Sequence, residues 1–169
     1  SPHRGETFVT KKITRSVARL HHGLEEVLYL GNLDAKRDWG HAEDYVEAMW
    51  KILQHKKPDD FVIATGEQYS VREFVNWAFG HVKREIEWKG KGMSEIGVEK
   101  GTGIVRVRID PVYHRPAEVE TLLGNALKAA KELNWKPKTS IKKMLTEMME
   151  HDLEHAKREK HLMKGGFKK

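Results

Sequence analysis

The sequence predicts an α/β protein, because segments with helical periodicity alternate with short runs typical of strands. Apolar residues recur at helical spacing in three long segments: residues 8–20, residues 41–54 and the stretch that begins at Ser140. The runs between them are either wholly apolar or alternate apolar with charged residues, as strands do. The clearest runs are residues 27–30, 61–64, 85–88 and 104–109. A chain of 169 residues is long enough for one domain with a sizeable core.

The first two elements are a helix over residues 8–20 and a strand over residues 27–30. Gly23 is expected to end the helix, because glycine readily adopts the left-handed backbone of a C-terminal cap. One face of the helix carries Val9, Ile13, Val17 and Leu20.

The strand is expected to end at Gly31 and Asn32, because both residues tolerate left-handed backbone. A charged loop over residues 34–38 then leads to a helix that begins near His41. The apolar side of this helix is formed by Ala42, Tyr45, Val46, Met49, Trp50 and Leu53. Arg37 is therefore expected on a loop between a strand end and a helix start. An anion binds well at such a place, because the guanidinium is bidentate and the helix start adds partial positive charge.

The middle of the chain is predicted to hold one helix between short strands. Residues 61–64 are wholly apolar and indicate a buried strand, and Ser70 with Glu73 forms the capping box of the next helix. That helix turns Phe74, Val75, Ala78, Phe79 and Val82 inward. Residues 85–88 alternate, as an edge strand does, whereas residues 89–103 contain five glycines without a period and predict a mobile loop.

The last third is predicted to hold a strand and two helices. Residues 104–109 indicate a half-exposed strand, residues 110–116 a turn, and residues 125–133 a short helix with Trp135 packed behind it. The final helix begins at Ser140 and turns Ile141, Met144, Leu145, Met148 and Met149 inward. Its pattern fades after Leu153, so we expect one main region over residues 1–153 and a basic helical tail over residues 154–169.

Composition limits the possible classes of protein. The net charge is +6, with a basic excess in the tail, and there is no cysteine for a disulfide or a thiolate metal site. No apolar run approaches the ~20 residues of a membrane span, and no signal-peptide pattern opens the chain. The sequence therefore favours a cytoplasmic protein without a membrane partner. A nucleic-acid partner is not expected, because the basic excess is concentrated in the tail.

The residues around Arg37 carry a resemblance to a known family. Arg37-Asp38-Trp39, followed by a helix with acidic residues at its start, resembles the substrate loop of extended short-chain dehydrogenase/reductases that act on nucleotide sugars. The longer string LGNLDAKRDWGHAEDYVEAMW is similar to one family of that group, the GDP-mannose 4,6-dehydratases. Four other stretches agree with that family in the same order: SPHRGETFVTKKITR, FVIATGEQYSVREFV, IDPVYHRPAEVETLLGN and LNWKP.

The resemblance extends from Ser1 to about Leu153 and implies the C-terminal, substrate-binding part of such an enzyme. The glycine-rich fingerprint of an N-terminal Rossmann part is absent from the sequence. The family converts GDP-mannose to GDP-4-keto-6-deoxymannose with NADP, which takes a hydride from the sugar and returns it after water is eliminated. The main region, residues 1–153, would then bind the nucleotide sugar.

The resemblance also implies roles for individual residues. Arg37 and Arg115 would hold the diphosphate, and Glu118 would accept bonds from the ribose hydroxyls. The nucleotide pocket would be lined by Val9 and Lys12 on one side and by Leu30, Gly31, Asn32 and Leu33 on the other. Arg4 would contact NADP, although His3 stands where the family usually has a second arginine. From the residues alone, the arginines and Glu118 could instead form surface ion pairs, and Asn32 could serve only the turn.

The family's catalytic Tyr-x-x-x-Lys pair lies before the matched region, and neither Tyr45 nor Tyr113 is followed four residues later by lysine. We therefore expect no catalytic residue in this chain, which would bind the GDP moiety but not catalyse alone. The apolar face that meets the cofactor part would be exposed, so we expect homo-oligomers or low solubility.

Two other classes stay open at this stage. A stand-alone nucleotide-sugar binding module would bind GDP tightly without a second chain, whereas a basic nucleic-acid-binding protein would show a steep salt dependence. The five tryptophans lie at core spacing, which disfavours the second class. The string His151-Asp152-Leu153-Glu154-His155 fits a short zinc-protease pattern, but it lies where the helix becomes polar and it lacks a third ligand.

Overall fold

The computed structural model describes residues 1–113 and 119–165, and it has the α/β fold that the sequence predicts. The helices are α1 (Val9–His22), α2 (Ala42–Leu53), α3 (Val71–His81), α4 (Leu127–Glu132) and α5 (Ile141–Lys164). The strands are β1 (Leu28–Leu30), β2 (Lys36–Arg37), β3 (Tyr69–Ser70), β4 (Ile86–Lys89), β5 (Ile96–Glu99) and β6 (Val105–Ile109). Two short 3₁₀ turns, Gly92–Ser94 and Pro111–Tyr113, lie within the second half.

Four of the strands form one mixed sheet in the order β1-β6-β5-β4. Strand β1 pairs with β6 in parallel, while β4, β5 and β6 are antiparallel neighbours. The remaining pair, β2 and β3, forms a separate antiparallel ladder in which Arg37 lies opposite Tyr69. The short segment between β1 and β2 therefore links the two sheets.

The main core lies between helices α1, α3 and α5 and strands β1 and β6. Its largest fully buried side chains include Ile13, Leu28, Phe74, Phe79 and Met148. The inward faces predicted for the three helices are confirmed, with Val9 and Val82 only partly buried. Gly23 ends α1 in left-handed backbone at φ 72°, and both hydrogen bonds of the Ser70–Glu73 capping box are present.

A buried ion pair fastens α1 to α5. Lys11 Nζ donates to Asp152 Oδ1, and Thr14 Oγ1 donates to Asp152 Oδ2 at 2.7 Å. Lys11 Nζ also donates to the carbonyl oxygen of Pro2 at 2.9 Å, which holds the N-terminal turn against α1. Asp152, which belongs to the zinc-like string, thus serves the helix packing. Helix α5 continues through residue 154 to Lys164, and the boundary after residue 153 stays a prediction.

The loop predicted over residues 89–103 is wrong, because this stretch contains strand β5. A Cβ at Gly97 would lie 2.8 Å from Ile86 Cγ2 and 3.0 Å from Val107 Cβ. Glycine is therefore required where β5 passes between the side chains of its two neighbours. One such glycine, together with the bulge between Gly97 and Val98, obscures the alternation that marks a strand.

The strand predicted over residues 61–64 is also wrong. These residues belong to neither sheet, and within the described chain no strand lies beside them to complete a ladder. An apolar run becomes a strand only where a neighbour accepts its hydrogen bonds. Phe61 and Ile63 instead pack against a small second cluster formed by Ala48, Ala129, Leu133 and Trp135, which confirms that Trp135 packs behind α4.

Helix α2 has its predicted bounds, but most of its apolar side is exposed. Val46, Met49 and Trp50 are each 61% exposed and Leu53 is 80% exposed. The expectation that all tryptophans lie in the core is therefore wrong for Trp50. The helix is held by Ala48, which is buried in the second cluster, and by Asp44. The Asp44 carboxylate accepts from the backbone amides of Lys138 at 3.1 Å and Thr139 at 2.9 Å. None of the helices in the described residues combines the length and apolar character that a membrane span requires.

Candidate nucleotide-binding cavity

A cavity of about 840 Å³ lies between the N-terminal turn, the start of α1, the end of β1, strand β2 and helix α2. Ligand pockets commonly measure ~300–1,000 Å³, so this one has room for a nucleotide-sized molecule. Seven residues singled out from the sequence line it: Arg4, Val9, Lys12, Leu30, Gly31, Asn32 and Arg37. They come from four separate stretches of chain. Leu33, which was also expected in the pocket wall, does not line the cavity because its side chain is buried in the main core. Arg115 and Glu118 lie outside the described residues.

The chain leaves β1 at Gly31 and Asn32, but not through left-handed backbone, since neither has a positive φ. Gly31 is needed for a different reason: a Cβ there would lie 2.3 Å from the carbonyl oxygen of Tyr113. Asn32 Oδ1 accepts from the backbone amide of Asp34 at 2.9 Å, which closes a local turn. The cavity wall is thus close-packed backbone stabilised by a side-chain turn.

The sequence predicts Arg37 on an open loop, but in the structure it lies in the two-residue strand β2. Its Nη1 donates to the carbonyl oxygens of Lys36 at 2.8 Å and Val119 at 2.7 Å. These bonds fix the plane of the guanidinium at the cavity wall. A fixed guanidinium loses less entropy when it binds a phosphate than a mobile one does.

Two other cations face the cavity, each lying over an aromatic ring. Lys12 Nζ is 3.1 Å from the centre of the Tyr113 ring, and the Arg4 guanidinium carbon is 3.7 Å from the centre of the Phe8 ring. Cation–π contacts of this kind hold long side chains in place without removing their charge. Among the described lining residues, Arg4, Lys12 and Arg37 are the arginine and lysine side chains, and Asp38 is the only side-chain carboxylate.

Several lining residues were not foreseen from the sequence, and four of them carry a phenyl, phenol or indole ring. Phe8, Trp39, Tyr45 and Tyr113 line the cavity, and Trp39 is fixed by an edge contact with Phe74 at 5.2 Å between ring centres. Proximity in the sequence could have indicated three of them, because Phe8, Trp39 and Tyr113 lie within two residues of positions that the family likeness implies. Burial, with smaller contributions from the carboxylates of Asp38 and Asp44, raises the pKa of Tyr45. Its phenol therefore stays protonated at neutral pH and is unsuited to act as a base.

Positive charge, aromatic rings and an apolar floor together suit an anionic ligand with a planar ring. The described residues contain no group of three or more histidine, aspartate or glutamate side chains placed to hold a metal ion. The arrangement is suited to binding such a ligand, with the cations placed for its anionic groups and the aromatic rings for its planar ring.

Comparison with known proteins places this geometry in context. The family model for GDP-mannose 4,6 dehydratase matches residues 1–148. The chain is 63% identical to a GDP-mannose 4,6 dehydratase of Drosophila melanogaster over 91% of its own length, and 54% identical to the Homo sapiens enzyme over 91%. It is 51% identical to that of Vibrio cholerae over 99%. The chain spans only 39%, 41% and 48% of these three relatives, respectively.

Solved structures agree with the fold at lower identity. One is RMD from Pseudomonas aeruginosa complexed with NADPH, with a TM-score of 0.72 and 20% identity over 92% of this chain and 46% of that one. Another is UDP-glucose 4-epimerase of Thermotoga maritima with UDP-glucose, with a TM-score of 0.65 and 21% identity over 92% and 42%. At such identity the likeness concerns the fold alone.

Proposed function

The chain belongs to the GDP-mannose 4,6-dehydratase family, and from this premise we propose that it is the C-terminal part that binds the GDP moiety of GDP-mannose. The complete protein would convert GDP-mannose to GDP-4-keto-6-deoxymannose as a lyase. The 169 residues correspond to less than half of the relatives' length, so the remaining part would supply the chemistry.

One observation carries this proposal: residues from separate stretches of chain, each implied by family likeness to contact the nucleotide, line the same cavity. Val9 and Lys12 come from α1, Leu30 to Asn32 from the end of β1, and Arg37 from β2. Residues that serve only as surface ion pairs would have no reason to converge. The positive groups would meet the diphosphate, and the rings would lie beside the base.

NADP is part of the same proposal, but this chain offers it little. A guanidinium at the cavity edge, that of Arg4, has the right chemistry for a phosphate group. The glycine-rich turn that cradles a dinucleotide phosphate is absent from the sequence, so most contacts would come from the remaining part. The cofactor would supply hydride transfer, while this chain's residues would bind and orient the nucleotide.

The isolated chain is expected to be inactive. None of its four tyrosines is followed four residues later by lysine, and Tyr45 keeps its proton at neutral pH. The finding that would contradict this is turnover of GDP-mannose by the 169-residue chain that disappears when one of its own residues is changed. A cytoplasmic location and homo-oligomers also stay predictions.

We propose that the remaining part of the protein packs on the exposed side of α2, because the relatives are more than twice as long as this chain. Val46 and Met49 of that side also line the cavity, so whatever covers the helix would also close the ligand site. Regions 1–153 and 154–169 would then be the nucleotide-sugar region and a basic tail.

The test is a calorimetric titration with GDP-mannose, with TDP-glucose as the control ligand. The wild-type chain should bind GDP-mannose and Arg37→Ala should weaken it about 10- to 100-fold, because a charge-assisted hydrogen bond contributes ~1.5–3 kcal/mol. Arg37→Lys should bind weakly too, since it keeps the charge without the planar fork. Arg158→Ala removes the same charge from the exposed end of α5 and should bind like the wild type. Equal binding of both nucleotide sugars, or of all variants, would contradict the proposal.

A further inference from the structure

Asp38, the residue after Arg37, joins two distant segments of the chain. Its Oδ1 accepts from the Thr65 backbone amide at 2.9 Å and from Thr65 Oγ1 at 2.6 Å. Its Oδ2 accepts from the backbone amides of Gly66 at 2.9 Å and Gly124 at 3.4 Å. A half-buried carboxylate with four donors from three residues is placed to fix backbone.

Lys36 and Arg37, which precede Asp38, form hydrogen bonds with the same distal segment, residues 119–124. The Lys36 amide donates to the carbonyl oxygen of Glu120 at 2.8 Å, and the Leu122 amide donates back to the carbonyl oxygen of Lys36 at 3.2 Å. Arg37 Nη1 donates to the carbonyl oxygen of Val119 at 2.7 Å. The segment that orients the Arg37 guanidinium is therefore the one that Asp38 fastens at its far end.

The two segments that Asp38 joins are in close contact at Gly124 and Ala64. A Cβ at Gly124 would lie 2.1 Å from Ala64 Cβ and 3.6 Å from Asp38 Oδ2. Only glycine fits there, so the segment cannot move towards residues 64–66 without a clash. The Lys36 ladder holds one part of this segment, and the hydrogen bond of Asp38 holds its far end.

We infer that Asp38 is a positioning residue, which holds segment 119–124 and the turn at residues 65–66 so that Arg37 is oriented for an anionic ligand. This inference rests on the proposed function for the identity of the ligand, a nucleoside diphosphate. It gives Asp38 a role opposite to the one its charge alone would have. A carboxylate beside an anion site repels the anion, so its presence there needs another reason.

The sign of one substitution separates the two roles. Asp38→Asn removes the negative charge, and charge alone would then tighten binding of GDP. If Asp38 positions the segment, the same change should weaken GDP binding about tenfold, because the amide replaces one acceptor oxygen by a donor that faces backbone N–H groups. Asp34→Asn is the matched control: it removes the same charge on the other side of β2, at a side chain outside the cavity lining.

Calorimetry of the 169-residue chain with GDP measures both variants, together with Arg37→Ala and the double variant Arg37→Ala/Asp38→Asn. The effect of Asp38→Asn should fall from about tenfold to below about twofold in the Arg37→Ala background, since the two residues act as a unit. Thr65→Val, which removes one donor to Asp38, should weaken GDP binding in the same direction and serves if Asp38→Asn fails to fold. Unchanged or tighter binding in these variants, or additive effects with Arg37→Ala, would overturn the inference.

Hydrogen exchange tests the same role without a ligand. The amides of Lys36 and Leu122 should exchange about tenfold faster in Asp38→Asn than in the wild type or Asp34→Asn, because the ladder with segment 119–124 loosens. Unchanged exchange would overturn the positioning role. If the wild-type chain binds no GDP, the proposed function fails, and these exchange rates still decide the role of Asp38.

Discussion

Two regions of this molecule have similar amphipathic helices, but the apolar faces are buried in one region and largely exposed in the other. In the first region, helices α1, α3 and α5 bury their apolar faces against each other and against β1 and β6. In the second region, α2 carries an apolar stripe of comparable spacing, yet the stripe from Val46 to Leu53 is mostly exposed. The difference is the presence of packing partners. The chain supplies a full core for the first region, whereas within the described residues the stripe from Val46 to Leu53 is left uncovered and only the side of α2 around Ala48 is packed.

The second region shows the same feature at its backbone. Residues 61–64 are apolar but belong to no sheet. Further along the chain, Leu123 and Leu127 are apolar side chains that are exposed. Beside the small apolar cluster around Ala48 and Trp135, polar contacts stabilise this region. Asp44 holds α2 to residues 138–139, and Asp38 holds residues 65–66 and 124. A surface of this kind is typical of a region that packs against a further part of a protein.

The largest effect that would sharpen this comparison is on stability. Phe74→Ala, in the first region, should lower the free energy of unfolding by about 3–5 kcal/mol, because it leaves a cavity in a closed core. Trp50→Ala removes a larger ring from α2 and should change it by less than about 0.5 kcal/mol, since the side chain is mostly exposed. Urea unfolding measures both. A loss for Trp50→Ala as large as that for Phe74→Ala would refute the distinction between the regions.

A smaller effect concerns the capping box that begins α3 in the first region. Ser70→Ala should cost ~1 kcal/mol at pH 7, because the Ser70 hydroxyl and the Glu73 carboxylate cap each other's backbone amides. Hydrogen bonds from the Ser70 backbone and side chain lower the pKa of Glu73.

The capping contribution therefore depends on pH. A carboxylate whose folded pKa lies below its unfolded value stabilises the fold above the unfolded pKa and loses that contribution as pH falls through the folded pKa. Below about pH 4, where an ordinary glutamate protonates, the difference between wild type and Ser70→Ala should therefore shrink. Urea unfolding at both pH values measures it, and a difference that grows in acid would be inconsistent with this capping.

The smallest effect on folding, but the clearest on association, concerns the stripe on α2. Trp50→Lys with Leu53→Lys should leave the free energy of unfolding within about 0.5 kcal/mol and convert oligomers to monomers, because the change places charge on an exposed apolar patch. The control pair, Gln54→Lys with Thr102→Lys, adds the same charge at exposed polar positions. Sedimentation distinguishes them. A wild-type chain that is already monomeric would show that the stripe does not drive association.

The two regions also differ in how far the sequence predicts them. Periodicity locates α1, α3 and α5 and their buried faces, because the residues that the pattern turns inward find partners in the same chain. Periodicity fails at residues 61–64, because this apolar run has no neighbouring strand among the described residues. It also fails at Gly97, where close packing requires glycine and the strand therefore lacks the side chain that would reveal its alternation. Periodicity reports what a segment could bury and contains no information on what it meets.

For the cavity, family likeness locates the residues but not their supports. It points to Arg37 and Lys12, whereas the Val119 carbonyl and the Tyr113 ring that hold them come from segments about 80 and 100 residues further along the chain. Likewise, Asp38 gives no sign in the sequence that its partners are Thr65 and Gly124. Such contacts depend on the fold and therefore appear only with it.

The most direct test of the central claim, that the cavity beside α1, β1 and β2 binds the GDP moiety, is to follow amide chemical shifts by NMR while GDP is added to the chain. The Trp50→Lys/Leu53→Lys variant keeps the sample monomeric if the wild type associates. We predict that the largest shift changes fall on Val9, Lys12, Gly31 and Asn32, which line the cavity. Changes confined to the basic end of α5, or to the β4–β5 hairpin, would contradict the claim.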